Sequence, residues 1–182
     1  MKTLLLSCFL IYCELAQGQS DVPYTREYVY LGAAPGTAPI PPSTSFGFLP
    51  GTQPPIVSVP PTNNWYTGGV GLERLLAAHV GVGLDLGGIV PGQGKILSNT
   101  VGSFSPNVYF HWEFKSAFDV FGTGGYSLLF QSFTANYYNF GGGLNYWLGI
   151  NQTHGLMVEY RRLNPIDTGR TYNEIRFGYT VR

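Results

Sequence analysis

The acid–base chemistry open to this chain begins with three histidines, His79, His111 and His154. They are too dispersed to hold one metal ion, and no HExxH or cysteine cluster accompanies them. No serine forms a recognisable partnership with any of them, so hydrolysis or acyl transfer is the least favoured reading. The other charged residues are better organised. Glu159 and Arg161, Glu174 and Arg176, and Glu113 and Lys115 each stand two apart, while Glu73, Asp85 and Asp119 stand singly. That spacing places both members of a pair on one face of a strand. On a face lining a narrow interior, bare charges must pair. The expected set is a polar and charged network of Glu73, Asp85, Glu113, Asp119, Glu159, Arg161, Glu174 and Arg176, with Lys115 and His111 beside it. A Glu–Arg ladder between the last two strands is its expected core. Such a network plugs the interior; in a conducting interior the same residues would line a gated pore. No cofactor is expected.

The elements that must hold these residues are visible in NYYNFGGGLNYWLG, Asn136 to Gly149. Even positions carry Tyr138, Phe140, Leu144, Tyr146 and Leu148; odd positions carry mostly small or polar residues across the glycine triplet. This is period two, the pattern of a strand between two different environments. It recurs six times. Tyr66, Val70 and Leu72 alternate with Thr67 and Glu73, and Val80, Val82, Leu84 and Leu86 with His79 and Asp85. Val108, Phe110 and Trp112 alternate with His111 and Glu113, and Phe118 and Val120 with Asp119. Leu156, Val158 and Tyr160 oppose Glu159 and Arg161, while Ile175, Phe177 and Tyr179 oppose Glu174 and Arg176. An eighth, weaker candidate is Arg26 to Ala34.

Eight strands of this length close an antiparallel up-and-down barrel. The connections agree. Links one, three, five and seven, at 35–64, 90–105, 132–134 and 164–172, are mostly longer than the turns near 76–77, 116–117 and 149–154. Residues 35–64 form a long proline-rich loop, since nine of the 13 prolines fall there and proline lacks the ladder N–H. Pro91, Pro106 and Pro165 fall in or beside the odd links, outside the expected strands. Side-chain volume decides which face is outside. A small lumen cannot hold the rings and leucines of eight strands, whereas a lipid-facing wall can. The expected fold is therefore all-β, an eight-stranded transmembrane barrel. A soluble, lipocalin-like barrel binding an apolar ligand remains the alternative.

Composition fits this reading. Charged residues are 11% of the chain and aromatics 15%, too few charges for an ordinary solvated surface. Formal net charge is zero, which leaves no electrostatic footprint for nucleic acid. Lys2, the apolar run Leu4–Tyr12 and the small residues Ala16 and Gly18 have the layout of a signal peptide cleaved after Gly18. Residues 1–18 are thus expected to be a signal peptide and 19–182 the barrel domain. Cys8 and Cys13 leave with the signal, so neither disulfide nor thiolate chemistry is expected.

GGVGLERLLAAHVGVGLDLG, the aromatic strands after it and the closing IRFGYTV resemble the OmpA-like and OmpX-like eight-stranded outer-membrane β-barrel proteins. The likeness covers about residues 65–182 and lies in strand–turn phrasing. It implies a bacterial outer-membrane location, contact with outer-membrane lipids including lipopolysaccharide, and insertion by the barrel-assembly machinery. It also implies a structural or surface-interaction role rather than an enzymatic one, with 35–64 as the surface for an extracellular partner. Some barrels of this kind act on lipid A, which keeps an enzyme as the remote alternative. Two departures stand out. Such barrels usually end on an aromatic residue, whereas this sequence ends Val181-Arg182. No stretch corresponds to the peptidoglycan-binding domain of larger members, so a barrel-only member is expected.

Overall fold

In the computed structural model the alternating segments are all extended; it describes residues 24–35, 64–92, 100–114, 117–131, 134–149, 151–166 and 170–182. The expected signal peptide, residues 36–63 of the proline-rich loop and Lys115 lie outside these. The strands are β1 (Thr25–Pro35), β2 (Asn64–Ala77), β3 (Val80–Pro91) and β4 (Val101–Phe114). They continue as β5 (Phe118–Phe130), β6 (Thr134–Leu148), β7 (His154–Pro165) and β8 (Tyr172–Val181). Each pairs antiparallel with its sequence neighbours, and β1 pairs with β8, so the sheet closes. The fold is a closed, eight-stranded, antiparallel all-β barrel. Closure leaves no strand edge unpaired, which is what lets backbone amides dispense with water.

Several boundaries differ from the sequence reading; Pro91 and Pro165, expected in the links, are the last residues of β3 and β7. The turn between β2 and β3 is at 78–79, because the ladder slips between Leu75 and Ala77 and lengthens β2. More substantially, β4 starts at Val101, and Pro106 lies inside it opposite Leu84. On the β5 side the ladder steps from Phe104↔Leu128 to Asn107↔Gly125, leaving Ser105 and Pro106 unpaired there. The missing proline N–H is accommodated by this local gap. At the end of β6, Gly149 takes a left-handed φ of 71°, which a residue without Cβ adopts freely.

The pleat sorts side chains into two populations. Leu31, Val70, Leu86, Trp112, Tyr138, Leu156 and Phe177 stand exposed on the outer wall, Leu31 at 75% and Phe177 at 61% of full accessibility. Arg161 and Asp119, by contrast, are fully buried inside at 0%. In water each exposed large apolar side chain would forfeit about 1.5–3 kcal/mol of burial energy. Against hydrocarbon that cost vanishes.

Candidate functional site

The interior is stacked in layers along the barrel axis, set by how far along each strand an inward residue falls. At the end carrying the long links sits an apolar layer that includes Trp65, Ile89, Val101, Leu129, Tyr137 and Leu163. Parity alone does not reveal it. These residues share the inward face with the charges, and the sequence reading treated that face as mostly small and polar.

The next layer is charged. Asp85 on β3 reaches Arg161 on β7 and lies 3.2 Å from Arg176 Nη1 on β8. Arg161 Nη2 and Nε donate to Glu159 Oε1 at 2.6 and 3.0 Å. Arg176 pairs with Glu174, approaches Glu159 at 3.5 Å, and lies over the Tyr30 ring at 4.2 Å. The β7–β8 register sets Glu159 opposite Arg176 and Arg161 opposite Glu174. Asp85 completes this ladder from across the lumen. It also accepts from Tyr28 Oη and, at 2.9 Å, from Asn107 Nδ2. Each carboxylate here has a guanidinium partner, the condition under which buried charge is tolerated.

A second charged layer lies toward the short turns. His111 on β4 is clamped between Glu73 on β2, 2.6 Å from Nε2, and Asp119 on β5, 3.0 Å from Nδ1. Arg26 on β1 donates to Asp119 at 2.8 Å and stands 3.8 Å from Glu73, and Asn145 on β6 donates to Asp119 at 3.1 Å. Gly81 gives the Glu73 carboxylate its room: a Cβ there would lie 2.1 Å from Oε1. Between the layers, Tyr28, Tyr109, Phe121 and Met157 pack around a cavity of about 10 Å³, the lower limit for a single water. At the short-turn rim the Arg182 guanidinium stacks 4.2 Å from the Trp147 ring and donates to Gln152 O at 2.7 Å.

Seven of the eight expected network residues therefore face the interior: Glu73, Asp85, Asp119, Glu159, Arg161, Glu174 and Arg176. Glu113 does not. It lies at the end of β4, is exposed, and meets Arg182 at 3.3 Å on the rim. Position on the strand overrides parity there, because the last inward residue has no lumen above it. Arg26 is the main omission from the sequence reading. Its strand places Tyr28 and Tyr30 inward among Val29 and Leu31 outward, so rings occupy both faces and the alternation is blurred. The histidines go to three places. His111 is interior, His79 Nδ1 is 3.1 Å from the His111 carbonyl at the turn, and His154 meets Tyr179 Oη at 2.8 Å on the outer wall. Among the described residues no group of three or more His, Cys, Asp or Glu is placed to hold a metal ion.

No protein-family model matches the chain, and no curated protein matches it. Solved structures do. The chain is similar to Neisserial surface protein A at 9% identity and a TM-score of 0.60, over 88% of this chain and 99% of that one. It is similar to the N-terminal β-barrel domain of Pseudomonas aeruginosa OprF at 11% identity and a TM-score of 0.55, over 86% and 96%. A de novo designed transmembrane β-barrel matches at 11% identity and 0.55, over 90% and 97%. At such identities the likeness speaks to fold. With its apolar wall and charged interior, the chain has the fold of the eight-stranded transmembrane β-barrels.

Proposed function

We propose that this chain is a bacterial outer-membrane barrel, similar to the OmpA-like and OmpX-like proteins, with a structural or surface-interaction role and a plugged lumen. The observation that carries the reading is the inverted wall: apolar side chains outside and interlocked ion pairs inside. Its bearing on conduction comes from the apolar layer, the two charged layers and the 10 Å³ cavity between them. Residues 1–18 act as an export signal, 19–182 form the barrel domain, and the proline-rich loop within 35–64 is the surface offered to an extracellular partner. Outer-membrane lipids, including lipopolysaccharide, and the barrel-assembly machinery are the partners this role requires. The chain is not an enzyme in this reading.

Fractionation tests the location. The protein is expected in the outer-membrane fraction, with a gel mobility that shifts on boiling; unshifted protein in the soluble periplasm would sink the proposal. Planar-bilayer recording tests the plug. No steady conductance is expected, and ion-selective channels lost in Arg161→Ala or Glu159→Ala would contradict it.

A further inference from the structure

Among the described residues the outward-facing wall carries three charged side chains on its strands. Glu27 and Arg74 lie toward the short turns on neighbouring strands, where Arg74 is opposite Thr25 and diagonal to Glu27. Arg162 stands apart, on β7 at the opposite end. It is paired in register with Phe140 on β6 and Asn173 on β8. No carboxylate among the described residues lies within ion-pairing distance of it. Below it the wall is apolar, with Val158 and Phe177 exposed, and Tyr138 and Tyr160 flank it as exposed rings, the residue type enriched where a bilayer's hydrocarbon gives way to headgroups.

The hydrogen bonds around Arg162 are lopsided. Asn164 Oδ1 already accepts from Arg162 Nε at 3.3 Å and from Thr171 Oγ1 at 3.1 Å. Asn173 Oδ1 accepts from Tyr160 Oη at 2.9 Å. The side-chain amide oxygens of the patch are thus engaged within the protein. Left over, among the described residues, are the terminal guanidinium nitrogens of Arg162 and the amide NH2 groups of Asn164 and Asn173, which are donors. Arg170, exposed, adds a second cation one residue before Thr171. A surface with engaged acceptors and spare donors around a guanidinium that has no ion pair among the described residues suits an anion with several acceptor oxygens. A phosphate is such an anion, and a guanidinium matches it in two-point geometry.

Resting on the membrane-barrel reading above, we infer that Arg162, Asn164 and Asn173 form a binding site for the phosphate of a lipid headgroup in the leaflet at the long-link end. The apolar wall below the patch receives the acyl chains, which a free phosphate lacks. Arg74 has no such surroundings: its register partners are Thr25 and Val82, Glu27 is diagonal to it, and no asparagine amide stands beside it.

The test uses the full folded chain in a maltoside micelle, with lipid retention read by native mass spectrometry. The probes are dioleoyl phosphatidic acid, dioleoylglycerol and inorganic phosphate. Phosphatidic acid is expected to be retained and dioleoylglycerol not. Loss of a charged hydrogen-bonding partner in Arg162→Gln is expected to weaken retention about tenfold. Arg74→Gln is expected to leave it unchanged. Asn164→Asp, which sets a carboxylate beside the guanidinium, is expected to weaken retention as strongly, so the inference does not depend on one variant folding. Equal retention by wild type and both patch variants overturns it. So does an equal loss in Arg74→Gln, which marks diffuse attraction, or displacement of the lipid by equimolar inorganic phosphate, which marks a soluble-anion site. The boiling-dependent gel shift is recorded for each protein. Its absence in the wild type defeats the barrel reading itself, whereas its presence with unselective retention defeats only the lipid site.

Discussion

Asp85 shows how much a single side chain can organise in this interior. Its two oxygens receive Tyr28 from β1, Asn107 from β4, Arg161 from β7 and Arg176 from β8, so one carboxylate on β3 ties its neighbour β4 to three strands with which β3 shares no ladder. Replacing it with alanine leaves two buried guanidinium groups short of an anion. Asp85→Ala is expected to lower unfolding free energy by about 3–5 kcal/mol, measured by urea titration of the barrel in lipid vesicles. A loss no greater than that of a surface substitution would mean that Glu159 and Glu174 alone satisfy both arginines. Of this network, Glu159, Arg161, Glu174 and Arg176 were legible in the sequence because their spacing and adjacency force them to meet. Arg26 was not legible, since inward Tyr28 and Tyr30 hide the parity of its strand. Nor was the role of Glu113, whose place is decided by where β4 runs out.

The strands themselves were written plainly wherever one solvent faces each side. The glycine triplet of β6 has a local cause. Gly143 leaves room for the Phe121 ring of β5, since a Cβ there would lie 2.6 Å from Cζ, and Gly141 admits the β7 backbone, 2.2 Å from the Tyr160 carbonyl oxygen. The same device operates at Gly71, where a Cβ would lie 2.1 Å from Cζ of Tyr28. The apolar layer around Trp65, Leu129 and Tyr137 stayed hidden for an opposite reason. Apolar residues on an inward face look like noise in a period-two pattern, yet they pack against each other at one end of the lumen. Pro106 was misplaced because a proline argues against a strand only where its missing N–H would have been needed. The outer wall makes the sharper prediction. Val70 stands exposed on β2 between Val29 and Leu86. Val70→Arg is expected to cost about 2–4 kcal/mol if this row lies near the bilayer midplane, read by the same urea titration. A neutral effect would place water, not lipid, against this wall.

At the scale of the whole barrel, the eight seams are unequal. The ladder closing β1 on β8 runs only from Glu27↔Val181 to Ala33↔Ile175, whereas β5 and β6 pair from Phe118↔Tyr146 to Phe130↔Thr134. Fewer backbone bonds must break for the closing seam to part, so local opening belongs there first. Hydrogen exchange of the folded barrel is expected to proceed faster at the β1–β8 amides than at the β5–β6 amides. Uniform protection around the ring would show that the charged layers, which bridge this seam through Asp85 and Tyr28, compensate for the shorter ladder.

An even number of strands also brings both ends of the described chain out on the side of the short turns. There the Arg182 guanidinium lies 5.7 Å from the Tyr24 ring. Arg182 donates its backbone amide to Thr153 O at 2.9 Å, and its side chain reaches the carbonyl of Gln152, a non-glycine residue held at a φ of 51°. The closeness of the two ends has a topological consequence. A short linker from Arg182 to Tyr24, with the chain cut instead at the Ala78–His79 turn, would leave every strand beside its present neighbours. The ring has an order but no preferred first member, and a circular permutant would read the same cycle from another starting point.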